Sequence, residues 1–375
     1  MALLDEKYRN LISGRSRGAL ADTARVVLSL LSVPYRCFVA GRNAYYRRVK
    51  PAVRRIARPV FSVGNITVGG TGKTPVAAHV ANLLLQRERR VAIVLRGYKG
   101  MAIQFDAEQR DEATVRWRKE SDEALVLKRR CPRAMVLVNP DRVAAARQAI
   151  ARGADAIVLD DAFQHRRIAR DLDIVLIDAT EPFGHGHLLP CGLLREPVQS
   201  LRRADLVILT RADQIDEASR NVLIGRLQRL SDGRPVIPAV HRIVGFSDVK
   251  GQDVAVEDLS AIQAVIFAGI ANFESFRKTI DGLGVRVLAA YQYPDHHDYS
   301  SQEITALADV ATTLEANVLL TTEKDAVKLV GRWSEDGCRL LVVKLNIEFD
   351  AEGDKILSDV IDEVLKRMQN GESRI

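Results

Sequence analysis

Residues 60–75 read VFSVGNITVGGTGKTP, an apolar run followed by glycines, a lysine and a threonine. A strand that leads into a glycine-rich turn and then into a helix is the setting of a phosphate-binding loop. The glycines let backbone N–H groups converge on phosphate oxygens, and the N-terminus of the helix favours negative charge. In such a loop, Lys73 contacts the β and γ phosphates and the Thr74 hydroxyl binds Mg²⁺. The predicted nucleotide-binding residues are Thr67, Val68, Gly69, Gly70, Thr71, Gly72, Lys73 and Thr74.

A second apolar run, residues 156–159, ends in two carboxylates, Asp160 and Asp161. A strand with this ending organises Mg²⁺ in phosphate-loop enzymes, although it is frequent in other α/β proteins. Because this acidic strand end occurs together with the glycine-rich loop, we interpret the loop and the strand end as one site for a nucleoside triphosphate and Mg²⁺.

From residue 59 onwards, short apolar runs alternate with helix-compatible stretches. This alternation predicts an α/β fold, a P-loop NTPase-like and mostly parallel sheet with helices on both faces. The alternation of strands and helices is interrupted at residues 235–250, which we interpret as linker strands. A second and smaller alternation of strands and helices follows. We therefore expect a phosphate-loop domain at 59–234 and a second, smaller α/β domain at 251–375.

The composition supports a folded chain of about this organisation. A length of 375 residues predicts two domains, and 47% hydrophobic with 27% charged residues excludes a wholly disordered chain. Four cysteines lie far apart without paired spacing. This argues against a zinc ribbon or a disulfide framework and is typical of a reducing cytosol.

The basic excess lies in residues 1–58, which hold 13 Lys and Arg against 3 Asp and Glu. Helical spacing of the apolar residues predicts an amphipathic N-terminal helix. Its longest uncharged run, Val26 to Tyr35, has 10 residues, about half of the roughly 20 that span a bilayer, and Pro34 is expected to kink it. A basic helix of this kind suits an anionic membrane surface. Packing against the protein's own core is the alternative, and nucleic acid ranks last because no reading motif is present.

The sequence resembles the tetraacyldisaccharide 4′-kinase family of lipid A biosynthesis in its loop, residues 64–75, where Thr67 is usual in place of the first glycine. Six further motifs match in the same order along nearly the whole chain. They are RGY at 96–98, SDE at 121–123, DDAFQH at 160–165, LLPCG at 188–192 with LREP at 194–197, YPDH at 293–296 and TEKDAV at 322–327. The chain departs from the family pattern at Ser121, where glycine is usual, and at 185–187, where His-Gly-His replaces residues richer in Asn and Arg.

The resemblance implies transfer of the ATP γ-phosphate to the 4′-hydroxyl of a tetraacylated glucosamine disaccharide 1-phosphate, which gives lipid IVA. It also implies a place at the cytoplasmic face of a bacterial inner membrane, with the N-terminal segment on the anionic surface. Asp122 is expected to accept the hydroxyl proton, with His296 oriented against it. Arg195 is expected to bind the migrating phosphoryl group or the acceptor phosphate.

The expected Mg²⁺ ligands are Thr74, Asp160 and Asp161, and the sequence leaves open whether Glu123 takes the place of Asp161. One alternative function is a membrane-surface nucleotide switch that hydrolyses ATP or GTP and phosphorylates nothing. Residues 210–213, TRAD, resemble a guanine-reading loop, but the usual lysine is absent. A nucleic-acid-stimulated ATPase would instead need the N-terminal cations and a steep salt dependence.

Overall fold

The computed structural model describes residues 2–97, 103–105, 121–256, 261–333 and 338–370. Tyr98, which belongs to one of the motifs above, lies outside them. The described residues form one sheet of thirteen strands. The strands are β1 Val60–Asn65, β2 Val91–Leu95, β3 Ile103–Phe105, β4 Met135–Val138, β5 Ala156–Asp160, β6 Leu172–Asp178, β7 Leu206–Thr210, β8 Val236–Ser247, β9 Asp253–Val254, β10 Gln263–Ala268, β11 Arg286–Gln292, β12 Val318–Thr322 and β13 Arg339–Phe349.

The order across the sheet is β11-β10-β12-β13-β8-β7-β6-β1-β5-β2-β4-β3, with β9 beside β8. Most neighbours are parallel, and the antiparallel pairs are β8 with β13, β8 with β9, and β3 with β4. The helices are α1 Ala2–Ile12, α2 Ala19–Arg48, α3 Lys73–Gln86, α4 Asp122–Arg130, α5 Arg142–Ala151, α6 Glu217–Leu230, α7 Phe273–Asp281, α8 Ser301–Thr313, α9 Glu323–Leu329 and α10 Ala351–Gln369.

Helices cover both faces of the central strands. Successive residues of a strand point to opposite faces, and Phe61 packs in one apolar cluster with α3 and α10 while Val60 packs in another with α5. The strands β1, β2, β5, β6 and β7 are buried along their whole length. Burial of this kind explains why they read as near-continuous apolar runs. The predicted fold class, a mostly parallel P-loop NTPase-like sheet, is confirmed.

The predicted linker, residues 235–250, contains β8, the longest described strand. Its first residues pair in parallel with β7, and the rest pairs antiparallel with β13. One strand therefore joins the two halves of the sheet. Helix α10 then returns from the C-terminal half, and its Leu357 and Ile361 enter the cluster that contains Phe61. The domain limits given above stay a prediction.

Helix α2 is long and mostly exposed. It continues through Pro34 for 30 residues, and only Val39 among them is buried. Leu20 is 89% exposed, and Val26 and Leu30 are 60% and 66% exposed. By length and composition it is apolar enough to cross a membrane. An exposed apolar surface of this size marks a site of contact with a membrane or with another protein.

Candidate active site

The phosphate-binding loop follows β1 and ends at Gly72, the residue before α3. Gly72 has a φ of +84°, and a Cβ there would lie 2.7 Å from Nε2 of His241, so the position requires glycine. Side chains fix the loop from both sides. The Asn65 amide donates to Oγ1 of Thr71 at 2.9 Å, and the Thr210 hydroxyl donates to the Thr71 carbonyl at 3.1 Å.

Arg211 explains the TRAD motif that suggested a guanine-reading loop. Its guanidinium is buried, pairs with Asp178 and donates to the Gly70 carbonyl at 2.8 Å. The TRAD motif therefore supports the phosphate-binding loop through Arg211. The guanidinium of Arg211 is engaged by Asp178 and by the Gly70 carbonyl.

The LREP motif lies alongside the same loop. The Val68 N–H donates to the Leu193 carbonyl at 2.8 Å, and the Arg195 N–H donates to the Ile66 carbonyl at 2.7 Å. These bonds place the Arg195 side chain beside Asp161, where Nη1 lies 2.9 Å from both carboxylate oxygens.

Lys73, Thr74, Asp160 and Asp161 come together as predicted from the two motifs. The Thr74 hydroxyl donates to Oδ2 of Asp160 at 3.2 Å. Lys73 Nζ donates to the Gly69 carbonyl at 3.3 Å and lies 3.8 Å from Oδ1 of Asp161. The loop that would hold the triphosphate and the carboxylates that would hold a cation are therefore adjacent.

The two neighbouring carboxylates differ in their electrostatics. Burial, with the charges of Glu123 and Asp161, raises the pKa of Asp160 to about 7. Burial also disfavours ionisation of Asp161, but Lys73 and Arg195 outweigh it and lower the pKa of that carboxyl to about 2. The charge of Asp161 is balanced by Lys73 and Arg195, whereas the charged form of Asp160 would be stabilised by a further cation.

Within the described ranges, no group of three or more His, Cys, Asp or Glu side chains is arranged to hold a metal ion. Mg²⁺ is usually held by one or two carboxylates together with substrate phosphates. The oxygens of Thr74 and Asp160 suit a cation that arrives with the nucleotide.

Arg142, which no sequence motif marks as part of the site, supports the end of β5. It is 2% exposed and donates to the carbonyls of Asp160 and Asp161 at 2.9 and 2.8 Å. Burial lowers its pKa to about 10. These bonds hold the turn in which Asp161 has a φ of +47°.

Asp122 and His296 form the predicted pair, although 174 residues separate them. Ser121, the residue that departs from the family pattern, caps α4 and accepts from the Ala124 N–H at 3.2 Å. Asp122 follows in the first turn, and Nδ1 of His296 lies 3.0 and 3.1 Å from its carboxylate oxygens.

Burial opposes the charge of Asp122, but the hydrogen bond with His296 and the charges of Lys324 and Lys328 hold its pKa well below the usual range. Burial likewise tends to lower the pKa of His296, and the bond with Asp122 outweighs it and raises that pKa. The carboxylate is therefore ionised at neutral pH.

Two lysines of α9, for which the sequence motifs predict no role, also belong to the site. Lys324 Nζ lies 3.2 Å from Nε2 of His296 and 3.7 Å from Oε1 of Glu123. Lys328 Nζ lies 3.3 Å from Oδ2 of Asp122. Their spacing of four residues, which puts both on one helix face, was the available signal.

Glu123 links the two groups of residues. It follows Asp122 in α4, its charge raises the pKa of Asp160, and it also lies near Lys324. The phosphate-binding loop, the acidic end of β5 and the Asp122–His296 pair thus lie in one electrostatically connected site.

Helix α2 is attached to the segment that carries Arg195. The Tyr35 hydroxyl donates to the Arg195 carbonyl at 3.0 Å. Glu196, fully buried, pairs with Arg42 of α2 and accepts from Arg203 at 2.7 Å. The exposed helix is therefore held against the same segment that supports the phosphate-binding loop.

Comparison with known proteins identifies relatives of this arrangement. Residues 24–366 match the family model described as tetraacyldisaccharide-1-P 4′-kinase. A tetraacyldisaccharide 4′-kinase of Anaeromyxobacter sp. (strain K) is 41% identical over 355 residues, 93% of each chain. One from Geobacter sulfurreducens is 36% identical and covers 86% of this chain and 89% of its own length.

A crystal structure of LpxK from Aquifex aeolicus in complex with ATP matches with a TM-score of 0.70 at 27% identity, and covers 91% of this chain and 99% of that chain. The family match covers the phosphate-binding loop, the carboxylate pair and the Asp122–His296 pair. The chain belongs to the tetraacyldisaccharide-1-phosphate 4′-kinase family.

Proposed function

We propose that the residues around Lys73, Asp160 and Asp122 transfer the γ-phosphate of ATP to the 4′-hydroxyl of tetraacyldisaccharide 1-phosphate and so form lipid IVA. As a member of its family, the chain is a kinase of lipid A biosynthesis, a phosphotransferase with an alcohol group as acceptor. The observation that supports the roles of the residues is the ionised Asp122 carboxylate, which is paired with His296 and connected through Glu123 to the phosphate-binding loop.

The ATP triphosphate binds along the loop, residues 67–74, at the N-terminus of α3, where backbone N–H groups and the helix dipole favour its charge. Lys73 moves from the Gly69 carbonyl to the β and γ phosphates. Arg195, whose planar guanidinium suits phosphate oxygens, stabilises the charge of the migrating phosphoryl group.

Thr74 and Asp160 would hold Mg²⁺, and Glu123, whose charge acts on Asp160, would be the third ligand. Asp161 stays paired with Arg195, because both of its oxygens already accept from that guanidinium. When bound, Mg²⁺ neutralises charge on the phosphate oxygens.

Asp122 is the general base. The 4′-oxygen attacks the γ-phosphorus, the bond to the ADP oxygen breaks, and the hydroxyl proton passes to the Asp122 carboxylate. The low pKa of Asp122 makes it a weak base, which is adequate because the transition state is loose and demands little proton removal. His296 holds the carboxylate in orientation.

The N-terminal segment, residues 1–58, binds the anionic surface at the cytoplasmic face of the inner membrane. The exposed apolar residues of α2 enter the acyl boundary, and exposed cations, among them Arg36, Arg47 and Arg48, face the headgroups. The attachment of α2 to the Arg195 segment then keeps the site near an acceptor whose acyl chains stay in the lipid.

The direct test uses ATP labelled at the γ-phosphate, Mg²⁺ and detergent-dispersed tetraacyldisaccharide 1-phosphate, with the lipids resolved afterwards. We expect label in a bisphosphorylated lipid with the unchanged chain and with Lys278→Ala, which removes an exposed lysine of α7, and none with Lys73→Ala. Free phosphate released at a rate that ignores the acceptor would instead support the nucleotide switch.

A further inference from the structure

Lys328 lies in α9 with its side chain almost completely buried. It is 8% exposed, and its Nζ lies 3.3 Å from Oδ2 of Asp122 and 3.5 Å from Oδ1 of Asp325. Burial of a lysine is costly unless its charge is paired, and here two carboxylates pair with it.

Asp325, the second carboxylate, is fixed in place. It is fully buried and accepts from the Tyr299 hydroxyl at 3.0 Å, the Thr322 hydroxyl at 2.6 Å and the Gly269 N–H at 3.1 Å. A carboxylate with three donors cannot turn without losing one of them. The fixed carboxylate of Asp325 therefore pairs with Lys328 on one side, and the ammonium group of Lys328 faces Asp122 on the other.

The contacts of Asp122 divide between its two oxygens. Oδ1 accepts from the Glu123 N–H at 3.1 Å, Oδ2 faces Lys328, and His296 lies within reach of both. The Glu123 amide holds Oδ1 by a hydrogen bond and the ammonium charge of Lys328 attracts Oδ2, so together they favour one rotation of the carboxylate. Loss of Lys328 would leave Oδ2 with His296 alone and free the carboxylate to turn.

The geometry points to Lys328 as a positioning residue, which orients the Asp122 carboxylate to receive the proton of the 4′-hydroxyl. This inference rests on the proposed role of Asp122 as base. Lys328 acts through Asp122, and its role is in the chemical step rather than in binding either substrate.

The competing explanation is that Lys328 only fastens α4 to α9. The chain offers a matched control, because Arg130 of α4 and Glu323 of α9 form a second ion pair between the same helices. A purely structural role predicts similar consequences for Lys328→Met and Glu323→Gln. A positioning role predicts a specific loss of rate for the first.

The test measures transfer of label to the lipid for Lys328→Met, Lys328→Arg and Glu323→Gln, with ATP and acceptor varied in turn. We expect Lys328→Met to lower kcat by about 10- to 100-fold, the usual effect of a misplaced catalytic group. KM for both substrates should stay near the value of the unchanged chain. Lys328→Arg, which keeps a cation, should recover part of the rate, and Glu323→Gln should lower the melting temperature with little effect on kcat.

The decisive readout is the double variant with Asp122→Asn. If Lys328 acts through Asp122, Lys328→Met should cause no further loss of kcat in the Asp122→Asn background. A further loss of the same size as in the unchanged chain would overturn the inference. So would equal losses of kcat in Lys328→Met and Glu323→Gln.

The single variants separate the two proposals. A low kcat for Asp122→Asn with an unchanged kcat for Lys328→Met would overturn the positioning role and leave the base in place. An unchanged kcat for Asp122→Asn would overturn both.

Discussion

Replacing Asp160 by asparagine is expected to stabilise the metal-free protein while it lowers the kinase activity. Asparagine has nearly the same shape, and it can still accept from the Asp161 N–H, which donates to Oδ1 of Asp160 at 2.8 Å. What it removes is a buried negative charge that lies near those of Glu123 and Asp161.

The size of the effect follows from the pKa. A rise from 3.8 to about 7 corresponds to roughly 4 kcal/mol of free energy against the folded state at high pH. Asp160 also stabilises the charge of Arg142, so we expect a net gain of about 2–4 kcal/mol from the substitution.

The pH dependence has a defined sign. Between pH 3.8 and about 7 the folded chain holds the Asp160 proton more tightly than the unfolded chain, so the wild-type stability falls as pH rises through this range. The advantage of Asp160→Asn should be complete above about pH 7 and absent below about pH 4. Denaturant unfolding in EDTA at pH 8 and pH 5 measures it.

Asp161→Asn is the matched control with the opposite sign. The folded-state pKa of Asp161 is lowered to about 2, so its contribution to stability is present above pH 3.8 and is lost as the pH falls toward 2. Its side chain is 35% exposed, which reduces the expected loss at pH 8 to about 1 kcal/mol. Equal stability of wild type and Asp160→Asn at pH 8, or a less stable variant, would refute the reasoning.

Three further changes test other parts of the site. Gly72→Ala should weaken ATP binding by at least tenfold, or about 1.4 kcal/mol, because the new Cβ meets His241; isothermal titration measures it. Asp122→Ala should cut kcat by about 10²–10⁴-fold with ATP affinity nearly intact, and an equal loss of ATP binding would remove Asp122 from the role of base. Glu196→Gln leaves Arg42 and Arg203 without their buried partner, so we expect a loss of about 2–3 kcal/mol and faster proteolysis after α2; an unchanged cleavage rate would contradict this.

The sequence was sufficient to predict the parts of the fold that depend on local pattern. The apolar runs at β1 and β5 became buried strands close to their predicted limits. The linker interpretation of residues 235–250 rests on the break in the alternation of strands and helices, and the structure has the long strand β8 there. Its partners, β7 and β13, lie in different parts of the chain, and no local pattern specifies such pairing.

The residues of the site likewise include some that a local motif predicts and others that only the fold brings together. Lys73 and Thr74 follow from a contiguous motif, whereas the roles of Asp122 and His296 were implied by the family resemblance. Arg142 and Lys328 act through contacts that only the folded chain creates. A basic residue on a helix is usually exposed. The four-residue spacing from Lys324 was the one local signal for Lys328, and Arg142 had none that separated it from the other Lys and Arg residues of the chain.

The return of α10 to the first half of the sheet has a consequence for biosynthesis. The ribosome delivers α2 long before α10, which follows every described strand in the chain. Until Leu357 and Ile361 have emerged, the sheet face around Phe61 lacks them, so the nascent chain carries an unfinished core. The exposed and largely apolar helix α2 is therefore synthesised before the kinase core can close, and the chain reaches its catalytic form only after synthesis of the part that contains α10.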